Sequence, residues 1–101
     1  MPDATTVERV AAAISLRRNR DRQLPDVFFG DPAWDALLEL YAAEANGERI
    51  GLPQLAERLG VAESLTRRWT DILEAVGLLD QVEGAFAISR EGKRKIERIF
   101  A

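Results

Sequence analysis

Val7, Val10, Ala11 and Ile14 recur at the three- and four-residue spacing of one helix face. That spacing predicts a first helix over 5–19, opened by Thr5 and Glu8 at capping-box separation. A polar, arginine-rich run over 17–22 follows, and Pro25 breaks the chain. Residues 23–31 (QLPDVFFGD) read as a connector whose Phe28 and Phe29 are expected to pack beneath a helix. Asp31 and Pro32 form an N-cap followed by proline at the first helical position. Trp34, Leu37, Leu38, Tyr41 and Ala45 continue as an apolar stripe, and Asn46-Gly47 supplies a left-handed stop. A second helix over 32–46 is the expectation.

The next stretch, 52–79, reads LPQLAERLGVAESLTRRWTDILEAVGLL. Pro53 starts a short helix with Leu55, Ala56 and Leu59 inward, and Gly60 can take the φ > 0 conformation of a tight turn. Val61 packs into the corner, and a longer helix over 63–76 ends at Gly77. Leu65, Trp69, Ile72, Leu73 and Val76 fall on one face at 100° per residue and are expected to point inward. Helix, short turn and helix make a helix-turn-helix, whose second helix usually enters the major groove of DNA. Residues 49–51 are a candidate short strand, and 78–82 with 85–89 are candidate strands joined by Glu83-Gly84, a two-residue hairpin turn. Ser89 can cap a last helix over 90–100 bearing Ile96, Ile99 and Phe100. The predicted fold is mainly α with a small β-hairpin: a winged helix-turn-helix of about five helices plus a short wing. It forms one domain over 1–101, with the N-terminal helix and basic segment at 1–22, the helix-turn-helix at 52–77, the wing at 78–89 and the C-terminal helix at 90–101.

The 101 residues contain neither Cys nor His. That removes disulfides, thiolate or imidazole zinc sites, and Cys/His or Ser/His catalysis. No paired carboxylates occupy a recognisable cleft and no glycine loop cradles phosphate, so no enzyme, cofactor or metal is expected. Apolar runs are too short to span a bilayer, and MPDATTVER lacks the basic and apolar regions of a secretory signal, so a cytoplasmic protein without membrane contact is the expectation. The net charge of −3 runs against the basic footprint of a nucleic-acid binder. The cations are nevertheless clustered: Arg17, Arg18, Arg20 and Arg22; then Arg67 and Arg68; then Arg90, Lys93, Arg94, Lys95 and Arg98.

With the stripe of the 63–76 helix inward, Arg67 points almost directly away, Ser64 also faces solvent, and Thr66 and Arg68 lie on the flanks. Residues near the start of such a helix meet base edges. Arginine can bind guanine O6 and N7 bidentately, serine is less selective, and Thr66 can reach a phosphate or a thymine methyl. Arg17 and Arg18 are candidates for the DNA backbone, and Arg90 and Lys93 stand nearest the wing base. Each has a plainer reading. Arg67 and Asp71 are spaced for an exposed i,i+4 pair, Arg68 can lie over Trp69, and basic residues at a helix C-terminus complement its dipole. Trp34, Tyr41 and Trp69 read as core residues.

From Phe29 onward, FFGDPAWDALLELYAAEANGERI, LPQLAERLGVAESLTRRW and ILEAVGLL resemble the small bacterial MarR-like winged helix-turn-helix transcriptional regulators. The resemblance covers about 15–100 and includes the basic RRNRDR stretch. It implies sequence-specific binding of double-stranded DNA by a homodimer joined through its terminal helices, with Ser64, Thr66, Arg67 and Arg68 reading bases. It also implies phosphate contacts from Pro53 and Gln54, and small-molecule effectors, for which no residue marks a pocket. One departure is plain: the wing tip is Glu83-Gly84, with Asp80 nearby and no basic residue between Arg68 and Arg90. A protein-interaction module on the same fold is the competing expectation, motivated by the acidic balance and the acidic wing tip.

Overall fold

The computed structural model describes residues 4–23 and 32–100, apart from the side chains of 19–23. Phe28, Phe29, the Asp31 cap and the side chains of Arg20 and Arg22 therefore lie outside the described residues. Within them the order is α1 (Ala4–Gln23), α2 (Pro32–Ala45), β1 (Ile50–Gly51), α3 (Leu52–Leu59), α4 (Glu63–Ala75), β2 (Leu79–Val82), β3 (Ala85–Ile88) and α5 (Arg90–Phe100). This is the expected winged helix-turn-helix, mainly helical with a small antiparallel sheet. The strands run in the order β1-β3-β2, with Ile50 opposite Phe86 and Leu79 opposite Ile88. Two local expectations change. Thr5 lies inside α1 instead of capping it, and α1 runs to Gln23 instead of ending at 19.

The stop signals act as the sequence suggested. Gly60 has φ +70°, and its N–H donates to the Ala56 and Glu57 carbonyls while the Val61 N–H also donates to Ala56. These are the bonds of a left-handed helix cap, and they turn the chain from α3 into α4. Glu83 and Gly84 both have positive φ, as the tight hairpin turn between β2 and β3 requires. The Ser89 hydroxyl accepts the Gly92 N–H at 2.9 Å and donates to the Gly77 carbonyl at 2.7 Å, joining the start of α5 to the end of α4. Gly92 must be glycine for space: an added Cβ would lie 2.3 Å from the Leu78 carbonyl oxygen.

The core gathers Val10 and Ile14 of α1, Leu37, Leu38, Leu40 and Tyr41 of α2, Leu55, Leu73, Leu79, Phe86, Ile88 and Ile96. Tyr41 donates to Glu97 at 3.0 Å and Trp34 stacks on Phe100, so α2 and α5 are tied at two levels. The Arg9 guanidinium donates to the Phe100 carbonyl, closing α1 over the end of α5. No helix among the described residues is long and apolar enough to cross a membrane.

Candidate nucleic-acid interface

The inward face of α4 is not the one its apolar pattern indicates. Thr66, Thr70 and Leu73 are buried and Trp69 is half-buried, whereas Leu65, Ile72 and Val76 are exposed at 37%, 44% and 63%. At about 100° per residue the helix is turned roughly 70° from the expected setting. The cause is local hydrogen bonding. Thr66 Oγ1 donates to the Ala62 carbonyl at 3.0 Å and Thr70 Oγ1 to the Arg67 carbonyl at 2.9 Å. With their hydroxyls satisfied by the helix backbone, both threonines can turn their methyls into the core.

This rotation reassigns the readers. Thr66 is fully buried and withdraws as a base or phosphate contact. Ser64 and Arg68 come to the centre of the outward face and Arg67 moves to its flank; all three are exposed. The plainer readings of the arginines are not realised, since neither has an ion-pair partner among the described residues and Arg67 does not meet Asp71. Asp71 and Glu74 are exposed on the later turns, so α4 is basic in its first half and acidic in its second.

Arg17 is a second correction. It is 6% exposed, with Nη2 at 2.5 Å from Glu39 Oε1 and Nη1 at 3.7 Å from Asp35. It also donates to the Arg58 carbonyl at 3.1 Å. A guanidinium held this way anchors α1 to α2 and α3 and offers nothing to a phosphate. Arg18 is 52% exposed but donates to the same Glu39 oxygen at 2.9 Å. Arg58 approaches Glu39 at 4.0 Å and pairs with Glu48 at 3.1 Å. Arg18, Glu39, Glu48 and Arg58 line a cleft of about 380 Å³ with Ile14, Ala42 and Asn46, and these charges pair with one another.

The remaining candidates divide. Arg90 is exposed and carries no ion pair among the described residues, beside the junction of α4 and the wing. Lys93 pairs with Glu44 at 2.8 Å, while Arg94 and Lys95 turn to Glu91 at 2.7 and 3.8 Å. The Arg94 hydrogen bond holds the Glu91 carboxyl below its ordinary range. Gln54 is exposed, but its side-chain oxygen accepts the Gly51 N–H at 3.1 Å at the start of α3, which leaves its NH₂ for other partners. Pro53 beside it is exposed.

Two residues were not singled out from the sequence. Arg49, exposed and without an ion pair among the described residues, immediately precedes β1, an edge strand of the sheet. As a lone arginine it escaped a reading that looked for clusters. Glu39 is the buried acid that captures Arg17 and Arg18, and its signal was a carboxylate in the middle of the apolar run LLELY. No family model matches the chain, and no curated protein matches it.

Proposed function

We propose that this chain is a sequence-specific double-stranded DNA-binding protein, a transcriptional regulator that lays the first two turns of α4 in the major groove. One observation carries the reading: Ser64, Arg67 and Arg68 stand together on an exposed ridge, and neither arginine has an ion-pair partner among the described residues. In such a ridge Arg68 and Ser64 face base edges while Arg67 serves base or phosphate from the flank. Arg49, Arg90 and the Gln54 NH₂ supply phosphate contacts. The wing, tipped by Glu83, stays out of the minor groove. The resemblance to MarR-like regulators supports the same reading and a homodimeric state, and a cytoplasmic location goes with such a role. Leu16 and Ile99 are the exposed apolar residues its terminal helices would offer for that contact. Two subunits also answer the charge problem, because one subunit neutralises few phosphates and would bind weakly.

A protein-interaction module is the second reading. It is favoured by the exposed Leu65, Ile72 and Val76 and by the loss of Arg17 to an internal ion pair. Selection of bound fragments from genomic DNA at low salt separates the two. Recovery of fragments sharing a two-fold symmetric sequence supports the regulator. Absence of binding to every fragment leaves the interaction module.

A further inference from the structure

We propose that Leu65 is a specificity-determining residue of the ridge: its side chain covers the 5-methyl group of a thymine in the major groove, one or two base pairs from the guanine that Arg68 reads. The inference rests on the reading of α4 as the helix that enters that groove. Leu65 lies in the first turn of α4 and is 37% exposed. The inward turn of Thr66 and Thr70 carries it out of the core and onto the face that holds Ser64 and Arg68. At about 100° per residue, Leu65 lies about 60° to one side of Arg68 and Ser64 about 40° to the other. An apolar side chain thus shares one exposed face with a hydroxyl and with a guanidinium that has no ion-pair partner among the described residues.

The major groove matches that combination. Guanine presents O6 and N7 to an arginine, and thymine presents a methyl group. A protein surface that covered Leu65 would also have to supply an acceptor for Arg68 beside it. Leu65 stands about 4.5 Å along the helix axis from Arg68, against about 3.4 Å between base pairs, which sets the separation of the two bases. Ile72 and Val76 are exposed too, at 44% and 63%, but they lie on the later turns with Asp71 and Glu74, where such a helix leaves the groove. Leu65 is therefore the exposed apolar residue that meets base edges.

Deoxyuridine pairs as thymine does and lacks only the methyl. A duplex selected from genomic DNA is compared, at matched salt, with duplexes carrying deoxyuridine at each thymine of the bound site in turn. Loss of a methyl covered by Leu65 should weaken binding by the unaltered chain roughly fourfold at one or two positions. Leu65→Ala should bind the thymine and deoxyuridine duplexes equally at those positions. Each ratio is taken within one protein, so a change in its folded fraction cancels. Ile72→Ala, on the turns outside the groove, should keep the fourfold ratio. Binding indifferent to every methyl overturns the assignment, as does a ratio that survives Leu65→Ala or vanishes in Ile72→Ala; in each case DNA recognition by α4 stands. If no duplex is selected at low salt, the DNA reading itself fails and this assignment with it, leaving Leu65 to a protein partner.

Discussion

Glu39→Ala is the most demanding test of the reassignment of Arg17. The Glu39 carboxylate is 1% exposed and takes Arg17 at 2.5 Å, Arg18 at 2.9 Å and Arg58 at 4.0 Å. The three cations lose different amounts when it goes. Arg18 is half in water and Arg58 keeps Glu48, so each sits in the range of exposed pairs, about 0–1 kcal/mol. Arg17 is 6% exposed and retains only Asp35 at 3.7 Å and one carbonyl. Breaking a buried pair by removing one partner costs about 3–5 kcal/mol, and the surviving Asp35 puts this case near 3. For a domain of this size about 4–8 °C is lost per kcal/mol, so the unfolding midpoint should fall by roughly 12–24 °C. Thermal unfolding followed by circular dichroism, with reversibility checked, reads it directly. Arg17→Met combined with Glu39→Leu removes both charges together and should recover most of the loss. A fall of under about 5 °C for Glu39→Ala would place Arg17 in solvent and return it to the pool of DNA contacts.

Two further outcomes follow from the geometry. Thr66→Val should change stability by no more than about 1 kcal/mol, since the Ala62 carbonyl keeps the Thr66 N–H, and should leave DNA affinity unchanged in a binding titration; a clear loss of affinity would restore Thr66 as a reader. Gly92→Ala should destabilise by about 1–3 kcal/mol in urea unfolding, because its Cβ meets the Leu78 carbonyl oxygen at 2.3 Å and Ile88 Cγ1 at 2.9 Å; a neutral result would mean that α5 can slide away from Leu78 and β3.

Most elements were legible because they carried both a period and a stop; α1, whose polar end carries no stop residue, runs to Gln23 instead of ending at 19. Gly60, Gly77 and the Glu83-Gly84 pair mark chain reversals, and between them the apolar spacing fixed helix or strand to within a residue or two. The setting of α4 was not legible. Periodicity weighs threonine as polar, yet Thr66 and Thr70 return their hydroxyls to the helix backbone and go inside, leaving Leu65, Ile72 and Val76 out. Arginine clusters mislead in a similar way. The pattern locates a guanidinium on a helix but not the acid that meets it, and Glu39 lies 22 positions beyond Arg17. For the site, Ser64, Arg67 and Arg68 are where the reading placed them on the chain, with Arg68 taking the outward centre from Arg67.

The central claim is that the ridge of Ser64, Arg67 and Arg68 reads sequence. Fluorescence anisotropy on a selected genomic fragment and on random duplex, at matched salt, compares the unaltered chain with Arg68→Ala. A bidentate base contact is worth about 1–3 kcal/mol, so the variant should lose roughly 5- to 150-fold on the selected fragment and far less on random duplex. Equal losses on both would make Arg68 a phosphate contact, and failure of the unaltered chain to bind either duplex at low salt would contradict the account.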